Sequence, residues 1–166
     1  MAPVRVGAIV LAAGRSARLM GGNKLLLPLA GQPLIARVVD AVLAARTAAV
    51  HVVVAHEAAL IRAALAGRPV AFAAAPENCG MGASIAAGID ALASSAVDGA
   101  LIVLGDMPFI EAHHLDRLID AFAGAGGRAI CVPSYAGRRG NPWLWPSGCF
   151  PDLIQLTGDV GGRALL

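Results

Sequence analysis

Several kinds of residue are scarce in this chain of 166 residues, and each scarcity excludes a class of protein. Charged residues make up 14% of the sequence and aromatic residues 4%, while the net charge is only +2. A dedicated nucleic-acid surface needs a basic face and stacking rings, so we expect no nucleic-acid partner. No run of 18 apolar residues occurs. We therefore expect no transmembrane helix and no membrane partner.

Cysteine is also scarce. The chain has three, Cys79, Cys131 and Cys149, an odd number that includes no Cys-x-x-Cys pair. A disulfide framework or a structural zinc site needs paired cysteines, so this usage is typical of a reducing compartment. The first residues lack the charged region, apolar core and cleavage site of a signal peptide. The sequence therefore predicts a cytoplasmic protein.

Hydrophobic residues make up 57% of the chain, enough for one packed domain over residues 1–166. Apolar runs alternate with amphipathic segments, which predicts an α/β protein: a mostly parallel sheet covered by helices on both faces, in a three-layer, Rossmann-like arrangement. Loops at the carboxyl ends of the strands then form the site. The pattern predicts strands at 6–11, 50–55, 70–74, 100–104, 129–132 and 143–145, and helices at 33–46, 57–66, 83–95 and 111–123.

The most informative loop follows the first predicted strand and runs from Ala12 to Lys24. Its small residues let backbone N–H groups approach a polyanion, and Arg15, Arg18 and Lys24 supply positive charge. This is the chemistry of a nucleoside triphosphate site. The spacing differs from that of a P-loop, in which the lysine follows a glycine and precedes serine or threonine.

Lys24 is the only lysine among thirteen basic residues. A compact ammonium on a flexible stem suits contact with phosphate oxygens, where a planar guanidinium would not fit. The alternative is an ordinary solvated lysine. Its place in this loop favours the phosphate interpretation.

Four glycine-rich or acidic segments occur in order along the chain. They are Leu11-Ala-Ala-Gly-Arg-Ser-Ala-Arg-Leu-Met-Gly-Gly-Asn-Lys24, Asn78-Cys-Gly-Met-Gly-Ala-Ser-Ile-Ala-Ala-Gly88, Leu104-Gly-Asp-Met-Pro108, and Gly140-Asn-Pro142 followed by Leu156-Thr-Gly-Asp-Val-Gly-Gly-Arg163. Together they resemble the MobA-like nucleotidyltransferases. The pattern most resembles the branch that transfers CMP or GMP to molybdopterin, typified by the molybdenum cofactor cytidylyltransferases. The resemblance spans nearly the whole chain and implies the nucleotidyltransferase fold and activity.

The resemblance also implies which residues bind the nucleotide and act on it. Catalysis would rest on Lys24, Arg18 and Asp106. Family members with Ala-Ala-Gly in the first loop tend to select cytosine, since a Cβ atom at Ala13 narrows the base pocket, which implies CTP. The nucleotide-binding residues would be Leu11, Ala12, Ala13, Gly14, Arg15 and Lys24 in the first loop, and Asn78, Gly80, Gly82 and Ser84 in the second.

Asp106 follows the predicted strand at 100–104 after a single glycine, Gly105, so its carboxylate would lie at the site-bearing edge of the sheet and could hold Mg²⁺. The alternative is a turn aspartate, which is common before proline. For a second metal ligand, the resemblance favours Asp159. An equally open interpretation makes Asp159 the N-cap of a terminal helix.

The segment Tyr135–Trp145 is basic, glycine-rich and aromatic. The resemblance places the acceptor, a phosphorylated pterin, at this segment, with Arg138 and Arg139 neutralising its phosphate and Asn141 orienting it. The alternative is a solvated loop followed by a strand that places one tryptophan in the core.

The function implied is CMP transfer from CTP to the terminal phosphate of molybdopterin, with Mg²⁺, during maturation of a molybdoenzyme. Alternatives are a transferase that uses GTP or a sugar phosphate, and a non-catalytic maturation factor. Retention of both Lys24 and Asp106 argues against the last. Chains of this family usually continue with a further strand and helix, whereas this sequence stops at Leu166. We therefore expect a short member or a truncated chain.

Overall fold

A computed structural model describes residues 2–14, 23–78 and 80–166 of the protein. In these ranges strands alternate with helices along the chain. Single helical turns of the 3-10 type lie at Lys24–Leu26, Ala93–Ser95, Ser147–Cys149 and Gly162–Leu165. In chain order the strands and α-helices are β1 (Val6–Ala12), β2 (Pro28–Leu29), β3 (Gln32–Pro33), α1 (Leu34–Ala44), β4 (Ala49–Val54), α2 (Ala58–Ala64), β5 (Ala71–Ala74), α3 (Gly80–Leu92), β6 (Gly99–Leu104), α4 (Ala112–Gly124), β7 (Ser134–Tyr135), β8 (Arg138–Arg139), β9 (Trp143–Pro146) and α5 (Phe150–Ile154).

The main sheet has five strands in the order β5-β4-β1-β6-β9. The first four are mutually parallel, and β9 pairs antiparallel with β6, so the predicted mostly parallel sheet is confirmed. The chain builds outward from β1 to β4 and β5, and then returns to place β6 on the other side of β1. In such sheets a crevice opens where the order reverses, at the carboxyl ends of the strands. Here that point lies between β1 and β6.

Helices cover both faces of the sheet, which confirms the α/β/α layering. Along β1, Ala8 and Val10 point into one core, where α1, α2 and α4 pack, and Ile9 points into the other, with α3 and α5. Residues Val6–Val10 are all buried. A central parallel strand covered on both faces reads as a continuous apolar run for this reason.

Several element boundaries differ from prediction. The strand predicted at 129–132 is wrong: only Cys131 pairs, in a single bridge to Leu144, and Pro133 soon follows with no N–H to extend the ladder. The helix predicted from residue 83 begins at Gly80 instead. The helix predicted over 57–66 is shorter, since Glu57 adopts a left-handed conformation at φ 55°.

Both tryptophans are buried, which corrects the expectation that only one enters the core. Trp143 is 5% exposed and Trp145 is 2% exposed. Residues two apart on a strand point to the same face, so both rings join the core beneath α3 and α5. Their centroids are 5.7 Å apart in a stacked arrangement.

Within the described ranges, no helix is long and apolar enough to cross a membrane. The longest, α3 and α4, have 13 residues each. A membrane-spanning helix needs about 20.

Candidate active site

The turn after β6 sets the geometry of the crevice. The N–H of Gly105 donates to the carbonyl oxygen of Leu11 at 3.0 Å, which continues the β1–β6 pairing beyond the strand end. A Cβ atom at position 105 would lie 2.6 Å from that oxygen, closer than real Cβ atoms approach. Glycine therefore keeps the two strand ends together. Asp106 follows at once and stands at the point where the strand order reverses.

A short capped turn presents Lys24 on the opposite side of the crevice. Asn23 is buried, and its Oδ1 accepts a hydrogen bond from the N–H of Leu25 at 3.0 Å. Leu25 is buried as well, in the core around α1. Because both neighbours are anchored, the backbone at Lys24 is fixed while its side chain remains half-exposed.

Lys24 and Asp106 meet across the crevice although they are 82 positions apart in the sequence. The Nζ of Lys24 lies 3.4 Å from the Oδ2 of Asp106, and the side chains are 49% and 46% exposed. An exposed pair of this kind contributes about 0–1 kcal/mol to stability. The pair therefore adds little to the stability of the fold, and both its charges are accessible to a ligand in the crevice. The structure brings these two predicted residues together, and their catalytic roles stay predictions.

The donor set around Asp106 fits a magnesium ion. No cluster of three or more histidine, cysteine, aspartate or glutamate residues occurs among the described residues, so this part of the chain offers no all-protein cage. Mg²⁺ needs no such cage, because it is usually held by one or two carboxylates together with waters and substrate phosphates. Asp106 meets that requirement with a half-exposed carboxylate at a strand end.

Asp159 lies against the first turn of α3. A Cβ atom built on Gly80 would lie 2.5 Å from Oδ1 of Asp159. The alternative interpretation of Asp159 as a helix N-cap is wrong, because the terminal turn begins at Gly162 and Gly161 precedes it. Its role as a second metal ligand stays a prediction.

The second predicted nucleotide loop and the C-terminal motif pack directly on each other. The N–H of Gly82 donates to the carbonyl oxygen of Gly158 at 2.8 Å. A Cβ atom at Gly82 would lie 2.6 Å from the carbonyl oxygen of Val160 and 2.7 Å from that of Thr157. This contact explains why α3 begins earlier than its sequence suggests. Packing alone therefore requires glycine here, whether or not the loop binds a nucleotide.

We expect Gly82→Ala to destabilise the fold, since the added methyl group collides with backbone that cannot rotate away. Over-packing of this kind costs about 1–3 kcal/mol in the free energy of unfolding. Chemical denaturation measures it. Gly124→Ala at the end of α4 is the matched control, because its Cβ atom meets nothing within 4 Å. Equal stability of the two variants would contradict the packing described here.

The structure describes most, but not all, of the other residues predicted to bind the nucleotide. Ser84 is buried, and its hydroxyl donates to the carbonyl oxygen of Gly80 at 3.2 Å. Asn78 is exposed and adopts a left-handed conformation at φ 58°. At the end of β1, Leu11 and Ala13 are half-buried, Ala12 is buried and Gly14 is exposed. Arg15 and Arg18 lie outside the described residues.

A cavity of about 310 Å³ opens beside the strand ends. Of the predicted acceptor residues, Asn141 lines it. Arg138 and Arg139 lie on the exposed β7–β8 hairpin, outside the part of the cavity wall that the structure describes. Sequence reasoning missed Arg163 as a site residue, although its motif was recognised. The wall is formed by Leu11, Met81, Ile85, Ile102, Leu104, Asn141, Trp143, Trp145, Gly161 and Arg163.

Comparison with known proteins identifies the family. The sequence profile of the MobA-like NTP transferase domain matches residues 8–166. The chain belongs to the MobA-like NTP transferase family. The match includes the Ala-Ala-Gly loop, Lys24 and Asp106, and it extends through the C-terminal motif to the last residue.

Two curated relatives of this MobA-like chain carry different names. It is 33% identical over 172 aligned residues to the purine catabolism protein PucB of Bacillus subtilis, covering 99% of this chain and 81% of the relative. It is 40% identical over 144 aligned residues to the bifunctional protein GlmU of Geobacter metallireducens, covering 83% of this chain. The alignment spans only 29% of that longer protein.

Solved structures share the fold over almost the whole chain. Rv0371c of Mycobacterium tuberculosis superimposes with a TM-score of 0.83 at 29% identity, covering 99% of this chain and 83% of that one. A manganese complex of Rv0371c superimposes with a TM-score of 0.79 at 25% identity, over 97% of this chain and 81% of that one. This member of the MobA-like NTP transferase family therefore has a Rossmann-like α/β fold.

Proposed function

We propose that this MobA-like transferase moves CMP from CTP to the terminal phosphate of molybdopterin and releases pyrophosphate. The product would then serve the maturation of a molybdoenzyme. The observation that carries the proposal is the Lys24–Asp106 pair, 3.4 Å apart where β1 and β6 end, next to the Ala-Ala-Gly loop. A cation and a carboxylate at one strand edge can neutralise phosphates and hold a divalent ion.

The reaction needs little from the protein beyond position and charge. An oxygen of the acceptor phosphate attacks the α-phosphorus of CTP and forms the new P–O bond. The bond from that phosphorus to the oxygen bridging the β-phosphate breaks, and pyrophosphate leaves with that electron pair. The nucleophile is already an oxyanion, so no general base is required. Positioning and charge neutralisation then supply most of the rate, as in other phosphoryl transfers.

In this scheme Lys24 lies beside the α-phosphate and stabilises the charge that develops there. Arg18 is proposed to hold the β- and γ-phosphates, although it lies outside the described residues. Asp106, with Asp159 as the second candidate ligand, would hold the Mg²⁺, which supplies charge neutralisation at the phosphate oxygens. Rv0371c, which is 25% identical to this chain in its manganese complex, has been crystallised with a divalent cation, and this supports the proposed metal dependence.

The base preference is proposed from Ala13. This residue directly follows β1, is half-buried and packs against the edge of the core beneath α3, so its methyl group is held in place. We expect a higher kcat/KM for CTP than for GTP, because a purine would meet that methyl group. Ala13→Gly should shift the ratio of kcat/KM values towards GTP. A preference for GTP in the unaltered chain would overturn the cytidylyl assignment and leave a guanylyl transferase.

Pyrophosphate release tests the function directly. With Mg²⁺, CTP and molybdopterin present, we expect release that depends on all three components. Release with a sugar phosphate in place of molybdopterin would support the sugar-phosphate alternative. Binding of CTP without release, whatever the acceptor, would favour a non-catalytic maturation factor.

A further inference from the structure

We propose that Asn23 is a positioning residue, whose buried side-chain amide holds the turn that presents Lys24 to Asp106. No step of the proposed reaction uses Asn23 directly, and it acts through Lys24. The inference rests on the proposed function, because it names a residue on which the placement of the catalytic ammonium depends. The sequence pattern places Asn23 in the first loop but gives it no role.

The burial of Asn23 is unusual for a polar side chain. It is 4% exposed, and Ser84 is the only other polar or charged residue that is buried in the described part of the chain. The Oδ1 of Asn23 accepts the N–H of Leu25 at 3.0 Å, whereas its Nδ2 has no hydrogen-bond acceptor among the described residues. A buried donor without an acceptor lowers stability, and an apolar side chain of similar size avoids that cost. The packing of the core therefore does not explain an amide here, and the hydrogen bond to the turn does.

Two contacts of different kinds fix the turn Lys24–Leu26. Leu25 is 7% exposed and packs in the core around α1, which fixes where the turn lies. The hydrogen bond from its N–H to Asn23 fixes how the turn is oriented, because hydrogen bonds are directional and apolar contacts are not. After the turn, the N–H of Leu27 donates to the carbonyl oxygen of Lys24 at 3.2 Å. A single 3-10 turn has too few hydrogen bonds of its own to be stable, so its orientation depends on the cap.

The orientation of this turn decides where the ammonium of Lys24 lies. Its Nζ is 3.4 Å from the Oδ2 of Asp106, at the end of a side chain that is 49% exposed. A long side chain keeps its tip in one place only if its Cα–Cβ bond keeps its direction. A misplacement of about 1 Å in a reacting site costs up to about 10²-fold in rate. The loss of the cap should therefore lower the rate through Lys24.

Two substitutions of Asn23 separate the accepting oxygen from the rest of the side chain. Asn23→Leu removes the oxygen and keeps a similar volume, whereas Asn23→Asp keeps both the shape and the oxygen. The loss of such a cap shifts a local equilibrium about 2- to 30-fold, so we expect Asn23→Leu to lower kcat about 3- to 30-fold with little change in the KM for CTP. Asn23→Asp should restore most of the turnover. If Asn23→Leu does not fold, Asn23→Ala takes its place.

Asp98→Ala is the matched control, measured like the others below the melting temperature of every variant. The Oδ2 of Asp98 accepts the N–H of Arg5 at 2.7 Å, just before β6 begins. This variant therefore also removes a side-chain acceptor from a backbone N–H, but at the amino ends of the strands, opposite the site. We expect its kcat to be unchanged. A loss equal to that of Asn23→Leu would mean that the rate follows general stability, which contradicts a positioning role.

A double variant shows whether Asn23 acts through Lys24. In Lys24→Ala the ammonium is gone, so the addition of Asn23→Leu should lower kcat no further. A further loss in the double variant would mean that Asn23 acts independently of Lys24, and the inference would be wrong. It would equally be wrong if Asn23→Leu left kcat unchanged, or if Asn23→Asp recovered none of the loss.

Lys24 is the only lysine of the chain, which provides a measurement that needs no substrate. Lysine-specific ¹³C labelling gives the Hε–Cε NMR signals of this residue alone. We expect Asp106→Asn to shift these signals in the unaltered chain and to leave them in place in Asn23→Leu, where the ammonium no longer lies beside Asp106. Equal shifts in both backgrounds would overturn the inference. If the chain transfers no nucleotide to molybdopterin, the proposed function fails, and these spectra alone decide whether Asn23 positions Lys24.

Discussion

Lys24→Ala is expected to lower the turnover of nucleotidyl transfer on the order of 10²-fold or more, the usual consequence of losing one charge contact to a transition state. The reason is position: its ammonium lies 3.4 Å from Asp106, at the crevice where the strand order reverses. As negative charge moves towards the departing pyrophosphate, a fixed cation at this place stabilises the transition state more than the bound substrates. The readout is single-turnover kinetics with CTP, molybdopterin and Mg²⁺.

The same variant should keep its melting temperature within a few degrees, because the ion pair is half-exposed and contributes little to stability. Lys24→Arg tests geometry separately from charge. A planar guanidinium cannot reproduce the compact ammonium of lysine, so this variant should recover little of the lost turnover. Unchanged turnover of Lys24→Ala, with normal melting, would remove Lys24 from the mechanism. Full activity of Lys24→Arg would mean that only net charge matters there.

The central sheet was predictable because its signals are local. The run at Val6–Ala12 is apolar throughout, which is typical of a strand buried on both faces. The crevice followed from the same pattern, since Lys24 and Asp106 each come shortly after such a strand. Sequence alone could not establish the distance between the two side chains. They are 82 positions apart in the chain, and their distance in space depends on how β1 and β6 align in the sheet.

The errors share a different cause, which is long-range packing. The early start of α3 depends on the hydrogen bond from Gly82 to Gly158, and no local propensity encodes a partner 76 positions away. Arg163 was overlooked as a site residue for the same reason. Its place in the cavity follows from Gly162 lying on the ring of Trp145, a contact that only the folded chain creates.

Asp106 is the residue whose loss should be most damaging to metal-dependent binding. Its Oδ2 faces Lys24, and the carboxylate is 46% exposed at the start of the turn that Gly105 allows. Asparagine has nearly the same shape but carries no charge, so Asp106→Asn keeps the turn and removes the anion. Because hard divalent cations prefer charged oxygen ligands, the variant should hold Mg²⁺ and the phosphates it neutralises far more weakly.

Isothermal titration with CTP, with and without Mg²⁺, separates the two possible roles of this aspartate. In the unaltered chain we expect Mg²⁺ to tighten CTP binding; in Asp106→Asn we expect that tightening to be abolished while weak metal-free binding persists. The rate of CMP transfer by Asp106→Asn should fall together with this Mg²⁺-dependent binding. Asp159→Asn, measured in parallel, would show the same loss only if Asp159 is a second ligand. If Mg²⁺ tightens CTP binding equally in the unaltered chain and in Asp106→Asn, then Asp106 is a turn residue and the ion is held elsewhere.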